Sequence, residues 1–195
     1  MKKESLTLVF ATHNKNKFKE VKTLLPHHIE LLSLDDIGCE EDIPETADTI
    51  EGNAAIKADY VSSYYNYACF ADDTGLEVPI LNNEPGVLSA RYAGEEKNAR
   101  ANMDKLLRKL EDKDERQARF KTAIALSMKG KEVMFLGICT GTITKKPRGL
   151  GGFGYDPIFQ PDGYTETFAE MDLSTKNEIG HRGRAIRQLI EYLSE

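Results

Sequence analysis

The tightest constraint on the fold sits near the start of the chain. An apolar run, Leu6–Ala11, passes directly into the polar segment Thr12-His13-Asn14-Lys15-Asn16-Lys17, after which Phe18, Val21 and Leu25 recur at helical spacing. A buried strand that feeds a helix through a polar turn is the opening unit of an α/β fold. Thr49–Tyr65, capped by Asp48 or Thr49, predicts a second helix, and Ala68–Ala71 predicts a short strand ending at Asp72-Asp73. Glu95–Leu110 reads as helical. Arg119–Met128 and Lys131–Thr144 read as two long strands joined near Lys129-Gly130, which makes the sheet mixed rather than all parallel. A last helix carries Ile186, Leu189, Ile190 and Leu193, with Thr175-x-x-Glu178 ahead of it as a capping box and Lys176, His181 and Arg182 clustered just before it.

At 195 residues, with no repeat or linker-like stretch, residues 1–195 are expected to form one domain with a single good core or two closely packed lobes. The apolar runs are too short to cross a bilayer, and Met1-Lys2-Lys3-Glu4-Ser5 leads into no apolar segment of signal-peptide length, so a cytoplasmic protein without membrane attachment is expected. Cys39, Cys69 and Cys139 are odd in number and widely spaced, which points to buried thiols rather than a disulfide framework or zinc knuckle. A net charge of −6 argues against a nucleic-acid partner, because such binding needs a broad basic face.

Three segments carry chemistry. The turn Thr12–Lys17 offers backbone N–H groups at a helix start, side-chain donors from Thr12 and Asn14, and charge from Lys15 and Lys17, all suited to phosphate; the alternative is an ordinary cap with solvated lysines. Asp72-Asp73, followed by a turn at Thr74-Gly75, offers hard oxygen ligands to Mg²⁺ or a base for water; the alternative is an aspartate-rich turn. Glu45 and Glu51 lie in an acidic stretch, residues 35–51, that holds eight carboxylates and no Lys or Arg, and they are candidates for a further ligand. Gly149–Asp156 holds four glycines among eight residues, with Phe153 and Tyr155 available to stack on a base, or else is a flexible turn with incidental aromatics. Lys57, among small and apolar neighbours, has reason to seek an anion, although an isolated lysine ordinarily reaches solvent.

Taken in order, Thr12-x-Asn14-x-x-Lys17, Glu45-Thr46, Asn53-Ala54-x-x-Lys57-Ala58, Ala71-Asp72-Asp73-Thr74-Gly75-Leu76, Gly151-Gly152-Phe153-Gly154-Tyr155-Asp156-Pro157 and Ile179-x-His181-Arg182-Gly183 resemble the inosine/xanthosine triphosphate pyrophosphatase family along essentially the whole chain. The resemblance implies an elongated mixed β-sheet with flanking helices and two lobes around a central cleft, of the Maf/ITPase-like type. It also implies a homodimer and Mg²⁺-dependent cleavage of non-standard purine nucleoside triphosphates to monophosphate and pyrophosphate. By position it makes Asp73 and Lys57 catalytic, Glu45 and Asp73 metal ligands, and Thr12, His13, Asn14, Lys15, Asn16, Lys17 and Thr74 contacts to the triphosphate end. Phe153, Gly154, Tyr155, Asp156, Lys176, His181 and Arg182 match the base and sugar pocket. His13 and Asn16 stand where many bacterial members carry glycine; a left-handed backbone there would be harder for His13 than for Asn16. A nucleotide sensor without turnover is the competing reading, with Asp72 and Asp73 then forming a turn.

Overall fold

The computed structural model describes residues 5–194; the lysine-led start of the chain lies outside the described residues. The elements are, in order, β1 (Leu6–Phe10), α1 (Lys15–Leu24), β2 (Ile29–Leu32), α2 (Ile50–Tyr65), β3 (Cys69–Val78), β4 (Glu84–Gly86), α3 (Ala99–Lys109), β5 (Gln117–Met128), β6 (Lys131–Ile143), β7 (Phe159–Pro161), α4 (Leu173–Ile179) and α5 (His181–Tyr192). One sheet runs β2-β1-β3-β5-β6-β7, with β4 paired to β3, so the α/β fold with a mixed sheet and flanking helices is realised. No helix among the described residues is long and apolar enough to cross a membrane.

The chain forms two compact units. The first comprises the residues up to Asp73, Thr122–Gly137 and the residues from Arg182 onward. Here β1 pairs in parallel with β2 (Leu6 opposite Ile29) and with β3 (Phe10 opposite Phe70), as helical crossovers between successive strands require. Phe10 and Phe70, both fully buried, stack with centroids 4.7 Å apart. Around them pack Leu8, Val21, Ile124, Leu126, Ile186 and Leu189. Burial of each such side chain contributes about 1.5–3 kcal/mol. The stripe expected from Phe18, Val21 and Leu25 puts Val21 at 0% exposure, but α1 stops at Leu24 because Pro26 forces Leu25 out of the helical region, to φ −75°, ψ 139°.

The second unit comprises Thr74–Lys121 and Ile138–His181. Its core gathers Leu76, Leu106, Leu110, Phe120, Ile143, Ile158, Phe159 and Phe168. β4 adds antiparallel to β3 (Leu76 opposite Gly86) and β7 adds antiparallel to β6 (Gly141 opposite Pro161). A Cβ on Gly141 would press into the Gln160 carbonyl oxygen and come within 2.9 Å of the Pro161 Cα, both backbone atoms. Gly141→Ala is therefore expected to cost about 1–3 kcal/mol, read as a lower thermal midpoint, because a strand backbone cannot swing aside as a flexible side chain does.

Several local expectations are corrected. β3 does not end at Asp72-Asp73 but runs on to Val78, so the two carboxylates sit in mid-strand. Gly75 is extended rather than turning; a Cβ there would meet the Gly86 carbonyl oxygen at 2.7 Å, and the glycine serves the close approach of β4. The helix expected from Glu95 starts only at Ala99, where Asn98 accepts a hydrogen bond from Ala101 N–H after Lys97 takes a left-handed φ of 51°. Thr175 is not a cap but lies within α4, whose cap is Asp172 accepting from the Thr175 N–H at 2.8 Å. Lys176 accordingly belongs to α4, while His181 and Arg182 are the first residues of α5.

Candidate active site

In the first unit the turn after β1 is closed by its own side chains. Asn14 caps α1, its Oδ1 accepting from the N–H groups of Asn16 and Lys17 at 3.0 and 3.2 Å, while Thr12 Oγ1 accepts from Asn14 N–H. The positive dipole end of α1 thus emerges beside exposed Lys15 and Asn16. Neither His13 nor Asn16 adopts positive φ, so their substitution for glycine brings no left-handed strain. His13 instead donates from Nε2 to the Glu41 carbonyl at 3.0 Å.

Successive side chains of a strand point to opposite faces, and β3 uses this at two adjacent aspartates. Asp72, fully buried, accepts from Lys17 Nζ at 2.9 Å and from Arg182 Nε at 2.9 Å. Arg182 in turn reaches buried Glu20, 2.5 Å from Nη1 to Oε2. Burial alone would raise the Asp72 carboxyl, but Lys17, Arg182 and Lys57 outweigh it and hold the group well below the usual carboxylate range. Arg182 is held above its ordinary value, because Asp72 and Glu20 outweigh the effect of burial. Lys17 is pushed below its ordinary value by burial, aided by the charges of Lys57 and Arg182 and opposed chiefly by Asp72.

Asp73 faces different company. Its Oδ1 lies 3.9 Å from Lys57 Nζ, and its Oδ2 accepts weakly from Asn53 Nδ2 at 3.4 Å. Lys57 Nζ also reaches Glu45 Oε1 at 2.6 Å. Burial lifts the Asp73 carboxyl above its ordinary value, with the carboxylates of Glu45 and Asp72 adding to the rise while Lys57 and Lys17 oppose it. Burial works the other way on Lys57, yet Asp73, Glu45 and Asp72 together outweigh it and leave the ammonium firmly protonated. Two carboxylates drawn to one ammonium make an oxygen-rich place already occupied by positive charge. Among the described residues no group of three or more His, Cys, Asp or Glu stands ready to hold an ion. The donor set at Glu45 and Asp73 suits a hard cation such as Mg²⁺, which takes one or two carboxylates and completes its shell with water and phosphate oxygens.

In the second unit the glycine-rich loop folds around Asp156. Its Oδ2 accepts from the Phe153 N–H at 2.8 Å and from Lys176 Nζ at 2.6 Å, and the same ammonium lies 4.8 Å from the Phe153 ring centre. Phe153 is half-buried, whereas Tyr155 is a core residue whose hydroxyl donates to the Ser89 carbonyl at 2.8 Å. The His181 ring stacks on Phe120 with centroids 4.5 Å apart. Thr74 follows Asp73 on β3 and is half-buried.

The sequence motifs thus gather into Glu45, Lys57 and Asp73, into Lys17 with Arg182, and into Phe153, Asp156 and Lys176. Arg182, matched by resemblance to a base pocket, commits Nε and Nη1 to Asp72 and Glu20. Asn53 lies in a sequence motif that assigns it no role, and Asp72, expected with Asp73 to offer oxygens to Mg²⁺ or a base for water, is instead paired with Lys17 and Arg182. Glu20 gives no sequence signal, since a glutamate on a lysine-rich helix reads as a solvated partner of its neighbours.

A model of the Ham1 family matches residues 8–192. A dITP/XTP pyrophosphatase of Christiangramia forsetii is 62% identical over 190 residues, spanning 97% of this chain and 100% of that protein. The dITP/XTP pyrophosphatase of Flavobacterium johnsoniae is 60% identical and covers 97% and 98%. Among solved structures, the Ham1 protein of Staphylococcus aureus superposes with a TM-score of 0.88 at 37% identity, covering 96% of this chain and 98% of that one. A HAM1 protein from Coxiella burnetii superposes with 0.89, also at 37% identity, covering 97% and 98%.

Proposed function

The chain belongs to the Ham1 family, and from that footing we propose that it hydrolyses ITP, dITP and XTP to the monophosphate and pyrophosphate, clearing non-standard purines from the nucleotide pool with Mg²⁺ as its cation. The observation that supports this most is the cluster of Asp73, Lys57 and Glu45, in which a buried carboxyl of raised proton affinity shares one ammonium with a second carboxylate. Such a carboxyl holds either a metal or a proton taken from water, and both serve attack on a phosphorus atom. Bound Mg²⁺ supplies charge that offsets the developing negative charge on the departing pyrophosphate.

The chain's own residues do the rest of the work in this reading. Glu45 and Asp73 present oxygens to the cation. Lys57 orients both carboxylates and opposes the rise that burial imposes on Asp73. Lys15, the helix start after Asn14, and the donors of Thr12, His13, Asn16 and Lys17 take the phosphates, and Thr74, next to Asp73 on β3, adds its hydroxyl. Phe153 offers the ring face for the base, with Gly154, Asp156, Lys176 and His181 shaping its surroundings and Tyr155 anchoring the loop from the core. A homodimer and a cytoplasmic setting belong to the same proposal.

The test is pyrophosphate release from ITP, XTP, GTP, ATP and dUTP, each with Mg²⁺ and with EDTA. Strong release from ITP and XTP, slow release from GTP and ATP, and loss of all release in EDTA are expected. Tight nucleotide binding without any release would replace the enzyme with a sensor.

A further inference from the structure

Glu45 lies in a stretch, residues 42–47, that adopts neither helix nor strand, so its position must be set by side chains. The ties form a series along α2. Ala47 N–H donates to Asn53 Oδ1 at 2.9 Å, Glu45 Oε1 accepts from Lys57 at 2.6 Å, and Glu41 Oε1 accepts from the Tyr60 hydroxyl at 2.7 Å. Asn53, Lys57 and Tyr60 follow one another at i, i+4 and i+7, one side of a helix. The acidic stretch therefore runs back along α2, with its residue numbers falling as those of the helix rise. At its far end the same Glu41 oxygen accepts a second hydroxyl, that of Tyr65 at 2.9 Å, filling both lone pairs with charge-assisted bonds. The Glu41 carbonyl is also the group to which His13 of the phosphate turn donates, at 3.0 Å. One exposed glutamate is thus bonded to α2 through its side chain and to the turn after β1 through its backbone.

We propose that Glu41 is a positioning residue, which through Tyr60, Tyr65 and His13 holds the acidic stretch in register so that Glu45 meets Lys57 and the cation; this rests on the metal-dependent reading given above. The effect of Glu41 is on where Glu45 sits. Supporting groups around metal ligands typically change metal affinity by about 10–100-fold when removed. An exposed, two-tyrosine tie is expected at the lower end of that range.

The test is calorimetric titration of Mn²⁺ into the whole protein loaded with a non-hydrolysable inosine 5′-(α,β-imido)triphosphate, for wild type, Glu41→Ala, the double variant Tyr60→Phe/Tyr65→Phe, and the triple combination. The tyrosine pair keeps the measurement readable should Glu41→Ala fold poorly. Each of the first two changes is expected to weaken Mn²⁺ by about tenfold, and the triple variant to be no weaker than either, because all three remove the same tie. A loss of general stability alone would leave this affinity in place. Mn²⁺ affinities within about twofold of wild type in both Glu41→Ala and the tyrosine pair would overturn the role of Glu41. A wild-type protein that takes up no Mn²⁺ would instead overturn the assignment of Glu45 and Asp73 to a cation, and the proposal with it.

Discussion

Asp73→Asn is expected to lower the turnover of ITP at saturating Mg²⁺ by at least about a hundredfold, equivalent to about 2.7 kcal/mol of barrier, with little change in folded yield. The substitution keeps size and shape but removes the charge that faces Lys57, as well as the basicity that burial has raised. An amide binds a hard cation poorly and takes no proton from water, so either role for Asp73 is lost. Because Asn53 makes only a 3.4 Å contact with the carboxylate, the neighbouring helix keeps its other ties, and the melting curve should barely move. Steady-state turnover beside a thermal melt checks both halves; near-wild-type turnover would remove Asp73 from the chemistry.

The largest effect on stability is expected from Arg182→Ala. This side chain, 4% exposed, bridges two buried carboxylates, Asp72 and Glu20. Its removal leaves both charges without that partner in a low-dielectric setting, and losing one member of a buried ionic group costs about 3–5 kcal/mol. For a chain of this length that corresponds to a fall in the thermal midpoint on the order of 10 °C. The effect also has a pH signature. Asp72 is held below its unfolded value, so its contribution is complete above the unfolded carboxylate pKa of about 3.9 and is lost as pH falls through the lower folded one. The gap between wild type and Arg182→Ala should therefore be full at neutral pH and narrow below about pH 4. A gap that stayed constant into strong acid would mean that Arg182 acts by packing alone.

Much of this fold can be read from residue spacing. The strand, polar turn and helix at the start, the second helix with Thr49 as its cap, and the long hairpin turning at Lys129-Gly130 all follow from apolar periodicity and turn chemistry. What escapes is the kind of feature that local rules invert. Asp-Asp-Thr-Gly reads as a turn by composition, yet it is buried extended strand, because the ion partners of Asp72 come from α1 and α5, 55 and 110 residues away in sequence. Thr175 resembles a cap until Asp172, three residues earlier, takes that role. Glu20 leaves no trace in a pattern dominated by lysine, since only the fold brings Arg182 to it.

The alternation of side chains along β3 has a consequence for how variants of this protein are scored. Asp72 and Asp73 are neighbours in sequence and chemically identical, yet the strand turns one toward the ionic network that helps keep the protein folded and the other toward the groups proposed to process nucleotide. Damage at the first registers as a shortage of molecules; damage at the second, as a full complement of idle ones. A screen that records only cellular activity would merge these two defects, and counting soluble protein alongside activity would tell them apart.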